Sequence, residues 1–225
     1  MADTSSESSP SSDRTTVRRG AKRAEYGQEN ILEILRAGSV AHVGVNTNDG
    51  PLVLPMVYGL TDDTLYLHGA LANSLLKSGA DTDICVTVTI VDGLVFAKTP
   101  FNHSMNYRSV VVRGKARVVE DDEEVMCALQ LMTDHIVPTW NTTRNLSPGE
   151  IRATRIIALP LDEKSAKVRA GEAINEVDDK ELAVWSGYMP ITSVLGSPIT
   201  NSDSGAETPE EVLRIVGHDM HRKRS

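Results

Sequence analysis

The sequence predicts a mainly β protein (α+β class), in which six or seven antiparallel strands form a small barrel with peripheral helices. Short runs rich in β-branched residues are separated by turn dipeptides such as Asp49-Gly50, as in chains of β-hairpins. Helical patterns occur only before the first strand and at a few later places, whereas a parallel α/β sheet needs a helix after nearly every strand. These two observations favour an antiparallel barrel over a doubly wound fold.

The first predicted elements are a tail, a helix and a hairpin. Residues 1–20 are serine-rich without apolar periodicity, so we expect a disordered tail ahead of a domain over residues 21–195. Residues 28–37 have apolar side chains at helical spacing. Strands on either side of Asp49-Gly50 then form a hairpin. Pro55 lies in the return strand and, because proline lacks a backbone N–H, it predicts an edge or a bulge.

The second half repeats these patterns with two further helices. Asp92-Gly93 predicts another hairpin turn, and the run of valines from Val110 predicts a buried strand. From residue 162 the pattern becomes irregular, and residues 196–225 are predicted to be a polar tail that contains a short helix. The remaining predictions are strands at 65–68, 84–90, 94–98 and 154–161, and helices at 71–78, at 121–136 and after Ser147.

Charge and motifs exclude several classes of function. The net charge of −8 argues against nucleic-acid binding, which draws on clustered Lys and Arg. No apolar run approaches the roughly 18 residues that span a bilayer, and no secretory signal pattern begins the sequence, so we expect a cytoplasmic protein without a membrane partner. The histidines lack metal-ligand spacing, which predicts no metal site, and no glycine fingerprint for dinucleotides is present.

Two segments are candidate binding elements on the residues alone. His103 to Val119 begins with polar side chains, including Tyr107 and Arg108, and continues into a stiff valine strand that would hold them in place. Ser74 and Lys77 lie early in a predicted helix, where backbone N–H groups and a lysine suit an anion. The alternatives remain open that Arg108 and Tyr107 are ordinary strand-end residues and that Lys77 is a solvated lysine.

Several blocks of sequence resemble a known family over about residues 21–190. They are LVLPMVYGL, TLYLHGALANSLLKS, HSMNYRSVVVRGKARVV, ALPLDEKSAKVRAG and VWSGYMP. Together they closely resemble the pyridoxamine 5′-phosphate oxidase-like flavin-binding proteins, and most of all the branch that includes the nitroimidazole-resistance proteins. The resemblance implies a split β-barrel that forms a homodimer and binds FMN at the subunit interface.

The resemblance also implies which residues of this chain contact FMN. One segment would line the flavin ring, a second would reach the ribityl chain and phosphate, a third would add Arg108 as a contact to the phosphate or the ring, and a C-terminal part would close over the flavin in the dimer. In that order, these are Pro55, Met56, Val57 and Tyr58; His68, Gly69, Ser74 and Lys77; Asn106, Tyr107, Arg108 and Ser109; and Lys167, Arg169 and Trp185. Lys77 and Arg108 would hold the phosphate dianion.

Two functions follow as hypotheses. The first is an FMN-dependent oxidoreductase that acts on a small organic molecule such as a nitro compound, a quinone or an enone. The second is a flavin- or haem-binding carrier or sensor without turnover. His68 and His103 could serve as proton donors, but a histidine at a strand end is more often a structural partner, so no catalytic residue is assigned.

Overall fold

Two antiparallel sheets form the described chain, which comprises residues 9–70 and 82–221 of this computed structural model. The larger sheet has the strand order β1-β10-β7-β6-β2-β3, with β11 paired to β6, and the smaller has the order β4-β5-β9-β8. The larger sheet ends at β1 and β3 and is not closed, as in a split barrel, so the predicted fold class is confirmed. The strands are β1 (Ala24–Glu25), β2 (Ala41–Thr47), β3 (Gly50–Met56), β4 (Tyr58–Leu60), β5 (Thr64–Ala70), β6 (Asp83–Phe96), β7 (Ser104–Lys115), β8 (Arg117–Val118), β9 (Thr154–Pro160), β10 (Glu163–Arg169) and β11 (Gly187–Pro190).

Side-chain caps explain the start of two of the four described α-helices. The helices are α1 (Gln28–Ala37), α2 (Asp122–Ile136), α3 (Pro148–Ala153) and α4 (Glu210–Arg214), and none of the described helices is long and apolar enough to cross a membrane. Asp121 caps α2 by accepting a hydrogen bond from Glu124 N, and Ser147 and Glu150 form a capping box on α3. Short 3-10 helices cover Asp13–Thr15, Ala21–Arg23, Pro100–Asn102 and Trp140–Thr142. The helix predicted at 71–78 lies outside the described residues.

The principal core lies between α1 and the inner faces of the strands. Tyr58 is fully buried there, and its hydroxyl donates to the carbonyl of Leu35 at 2.5 Å and lies 3.0 Å from the carbonyl of Gly38. These contacts tie β4 to the end of α1. A second cluster, which includes Tyr66, Met132 and Ile156, packs between α2 and the smaller sheet.

Replacing Tyr58 with phenylalanine is expected to destabilise the fold by about 1 kcal/mol, because two buried carbonyls lose their hydroxyl partner. Tyr188→Phe is the control, since Tyr188 is half exposed, and should change the free energy of unfolding by less than about 0.5 kcal/mol. Urea unfolding followed by circular dichroism gives both values. Equal losses in the two variants would contradict this role for Tyr58.

The pH dependence of the free energy of unfolding gives a second test of the role of Tyr58. Burial raises the pKa of Tyr58 above its ordinary value of 10.0, so the folded state keeps the phenolic proton more strongly than the unfolded chain does. The stability that depends on this proton is therefore present below about pH 10 and is lost as the pH rises further. The difference in free energy of unfolding between wild type and Tyr58→Phe should therefore stay constant up to about pH 9 and narrow as the pH rises through about 10.

Two sequence predictions in the second half are wrong. Asp92-Gly93 does not turn the chain, because β6 runs through it with a bulge between Val91 and Gly93. A Cβ at Gly93 would lie 2.8 Å from the carbonyl oxygen of Met189, so the glycine allows β11 to approach closely. The stretch predicted to be irregular after residue 162 contains β10, which pairs with β7 over seven residues.

The described parts of the two predicted tails also contact the domain. Arg14 forms ion pairs with Asp83 and Glu163, Thr15 is buried, and Val17 N donates to the Tyr26 hydroxyl. At the other end, residues 194–221 fold back and the carbonyl of His221 accepts a hydrogen bond from Arg108. Within residues 9–20 the contacts with the domain are ion pairs and single hydrogen bonds, and contacts of this kind produce no apolar periodicity in the sequence.

Candidate functional site

Strand register divides the predicted site residues between the two faces of the larger sheet. Val88, Val110 and Ala166 lie opposite one another and are buried in the core. The next row, Thr89, Ser109 and Lys167, therefore lies on the outer face. The next row on the same face, two residues further along each strand, contains Val91, Tyr107 and Arg169. Pro55 lies on the outer face two strands away from β6 through its pairing with His42. The structure thus brings Tyr107, Ser109, Lys167 and Arg169 together.

Tyr58 and Arg108 each have partners within the chain. Tyr58 belongs to the core, and Met56 also packs against it. Arg108 forms a bidentate pair with Asp92, with its Nε 2.9 Å from Oδ2 and its Nη2 2.7 Å from Oδ1. This hydrogen bonding raises the pKa of Arg108 and neutralises its charge within the chain, so the contacts do not support Arg108 as a phosphate ligand.

Arg169, unlike Arg108, donates its hydrogen bonds to neutral oxygens. It is 6% exposed, its Nη1 donates to Asn106 Oδ1, and its Nη2 donates to the carbonyl of Glu172 at 3.2 Å. The Nε of Arg169 is buried without a hydrogen-bond partner in the described chain. Burial, reinforced by repulsion from Arg23, lowers the pKa of Arg169. Asn106, which also donates to the carbonyl of Gly171, therefore orients this arginine.

An aromatic pocket adjoins the Arg169 hydrogen bonds. Its cavity of about 330 Å³ is bordered by Glu172, Asn175, Ser186 and Tyr188, together with Trp185. Trp185 is 68% exposed, and its ring centroid lies 5.7 Å from that of Phe96, which packs against it on one side. An exposed indole beside polar groups can stack on a planar ligand.

A larger apolar cavity lies between β5 and α2. It has a volume of about 570 Å³, and His68 is its one titratable side chain among the described lining residues. The lining consists of Val57, His68, Leu129, Met132, Thr133, Ile136, Val137, Thr139, Trp140, Leu146 and Val212. The atoms packed around His68 lower its pKa, so the imidazole is neutral at pH 7.

The predicted residues thus fall at separate places. Val57 and His68 border the apolar cavity, with Gly69 next along β5, while the Tyr107–Lys167 group lies on the outer face of the larger sheet. Ser74 and Lys77 lie outside the described residues, so the anion seat predicted there stays a prediction. The sequence reasoning missed the cavity, although the apolar face of α2 followed by Trp140 was a usable signal.

Comparisons with known proteins place the chain in a family. The sequence model described as "Pyridoxamine 5′-phosphate oxidase" matches residues 27–168. No curated protein matches the sequence. The flavocytochrome Anf3 from Azotobacter vinelandii is 34% identical, with a TM-score of 0.88 over 92% of this chain and 99% of that one.

Two other solved structures share the fold. A FAD- and haem-binding protein from Mycobacterium smegmatis is 27% identical, with a TM-score of 0.83 over 89% of this chain and 100% of that one. A putative 5-nitroimidazole antibiotic resistance protein from Bacteroides thetaiotaomicron is 27% identical, with a TM-score of 0.55 over 64% of this chain and 86% of that one. With the match over residues 27–168 and the 34% identity to a solved structure, this chain belongs to the pyridoxamine 5′-phosphate oxidase family.

Proposed function

We propose that this protein is a redox protein that binds a flavin on the outer face of its larger sheet and a haem in its apolar cavity. The observation that carries the proposal is the cavity beside β5, which combines apolar walls with one neutral imidazole. The relatives described as a flavocytochrome and as a FAD- and haem-binding protein, which align over most of the chain, support the same pairing.

The cavity fits a haem in its chemistry. His68 is neutral at pH 7, and an unprotonated imidazole nitrogen is the common protein ligand of haem iron. Leu129, Met132 and Ile136 would pack on the macrocycle and exclude water from it. When bound, a haem supplies one-electron chemistry, while the surrounding side chains set its potential through burial and polarity.

The outer face fits a flavin nucleotide. Tyr107 and Ser109 present hydroxyl groups, and Lys167 and Arg169 supply positive charge beside them. Trp185 would stack on a planar ring. A flavin, when bound, supplies the hydride and single-electron chemistry. The sequence resemblance favoured FMN, and the FAD-binding relative favours the dinucleotide, so we expect the flavin extracted from purified protein to be one of these two.

A second copy of the chain would cover an exposed apolar row. Met189, Leu94 and Met105 lie side by side across β11, β6 and β7, and each is more than a third exposed. Exposed apolar patches of this kind mark interaction surfaces. We therefore propose that the protein forms a homodimer. Light scattering in solution should then give a mass twice that of one chain.

The proposed activity is electron transfer to a small organic acceptor at the flavin, and the second candidate is a carrier or sensor without turnover. The open pocket beside Trp185 favours the enzyme, because a carrier would have no need of space for a substrate next to the flavin.

The visible spectrum of the purified protein tests both candidates. We expect flavin bands that bleach with NAD(P)H and recover with a quinone or nitro compound, together with a strong Soret band. Bands that do not recover with any acceptor would favour the carrier. A colourless protein that takes up neither added flavin nor added haem would refute the proposal.

A further inference from the structure

The segment after β11, residues 191–221, forms a strap that begins and ends at the same place on the larger sheet. At its start, Ile191 N donates to the carbonyl of Asp92 at 3.0 Å. At its end, the carbonyl of His221 accepts a hydrogen bond from Arg108 Nη2 at 3.2 Å, and the guanidinium of Arg108 is paired with the Asp92 carboxylate. One residue of β6 therefore holds the first end of the strap through its backbone and the last end through its ion pair.

The strap is hydrogen-bonded to itself near its two ends and has no buried side chain. Gly217 N donates to the carbonyl of Leu195 at 2.8 Å. Met220 N donates to the carbonyl of Ser193 at 2.9 Å. No residue from 191 to 221 is buried. Segments that are held mainly by exposed hydrogen bonds open at a lower free energy than a packed core does, so we expect the strap to leave the sheet as a unit without unfolding the barrel.

The middle of the strap reaches the apolar cavity. It carries α4, and Val212 of this helix is one of the described residues that line the cavity. The other described lining residues all lie between Val57 and Leu146 in the sequence. Val212 is therefore the part of the wall that an opened strap would remove, while the rest of the wall stays in place.

From these contacts we infer that the strap is a lid on the apolar cavity, which opens to pass a ligand and is positioned by Asp92 and Arg108. The ion pair between these two residues is partly buried, with side chains 35% and 26% exposed, so water screens it less than an exposed pair. Neither residue is among the described residues that line the cavity, so both act through the strap. The inference rests on the proposed haem site for the identity of the ligand, and on the contacts above for the lid itself.

Hydrogen exchange of the full-length protein, followed by mass spectrometry, tests the anchor of the strap. Asp92→Asn keeps the backbone carbonyl that Ile191 uses but removes the charge that pairs with Arg108. The hydrogen-bonded amides of the strap should therefore exchange about tenfold faster than in wild type, the usual effect of losing a charge-assisted contact. Arg117→Gln is the matched control, because it breaks another bidentate pair, with Glu124, and should leave exchange in the strap unchanged.

His221→Ala is a second variant that does not touch the larger sheet's own hydrogen bonds. It removes only the contact of the His221 Nδ1 with the carbonyl oxygen of Ala37, which is 3.1 Å long. Because His221 is near the end of the chain, this variant should fold even if Asp92→Asn does not. Exchange in the strap should again be faster than in wild type, while exchange in α1 should be unchanged.

Haemin exchange tests the lid. Asp92→Asn should take up haemin, and release it to apomyoglobin, both about tenfold faster than wild type, because both steps require the open strap. The dissociation constant is the ratio of these two rates and should stay within about threefold of the wild-type value. A distorted cavity would instead change the dissociation constant. Arg117→Gln should match wild type in both rates.

Two results would overturn the lid. One is unchanged exchange of the strap amides in both Asp92→Asn and His221→Ala. The other is faster strap exchange with unchanged haemin rates. Failure of the haem proposal shows separately, as wild-type protein that takes up no haemin. The apolar dye anilinonaphthalene sulfonate then replaces haemin: faster uptake and release in Asp92→Asn would support the lid, and rates equal to those of wild type would refute it.

Discussion

His68→Ala is expected to purify without a Soret band while it keeps its flavin bands. His68 is the one imidazole among the described residues that line the apolar cavity, so its removal takes away the proposed iron ligand. The flavin would be retained because Tyr107, Ser109 and Lys167 lie on the larger sheet, whereas His68 lies on β5 of the smaller one. Haem per chain, measured by absorbance after reconstitution with added haemin, should fall by about tenfold or more, as expected for the loss of a ligand or its immediate support.

His218→Ala is the matched control for this experiment, because His218 is exposed and is not among the described residues that line the cavity. It should keep the wild-type haem content. A second readout is chemical rescue: free imidazole should restore haem binding to His68→Gly, since the cavity walls remain. An unchanged Soret band in His68→Ala would assign the haem, if one is bound, to another place in the molecule.

The sequence predicted those elements whose signals are local. The apolar period of α1, the Asp49-Gly50 hairpin and the capping residues Asp121 and Ser147 each act within a few residues, and each prediction matches the structure. The same kind of signal misled at Asp92-Gly93, because a bulge and a hairpin use similar dipeptides and the distinction depends on β11, a strand far along the chain.

The cations of the site show why its details could not be predicted. Arg108 precedes the valine run of β7 and Arg169 is the last residue of β10, and the sequence shows a partner for neither. Their roles differ because Arg108 meets Asp92, a residue 16 positions earlier that the bulge in β6 turns towards it, whereas Arg169 meets only Asn106 and a backbone carbonyl. A charge visible in the sequence thus has no assigned function until its partner is known.

Gly59→Ala is expected to destabilise the fold by about 1–3 kcal/mol and to weaken haem binding at the same time. Gly59 lies on β4 directly beneath α2, and a Cβ there would come within 2.6 Å of Met132 N and 2.8 Å of Leu131 C. These are backbone atoms, so no side-chain rotation relieves the contact and α2 must move away from the sheet. Because Leu129 and Met132 of α2 also form the cavity wall, the same movement would alter the proposed haem site.

Gly196→Ala separates this packing effect from the general effect of replacing glycine. A Cβ at Gly196 meets nothing within 4 Å, and neither glycine has a φ in the left-handed region, so backbone strain does not enter the comparison. The control should unfold within about 0.5 kcal/mol of wild type in urea and bind haemin as wild type does. If Gly59→Ala unfolds at the same urea concentration as Gly196→Ala, then α2 is not held against β4 at the observed distance. If it is destabilised but binds haemin normally, the wall formed by Leu129 and Met132 does not contact the haem, and the cavity beside His68 loses its assigned role.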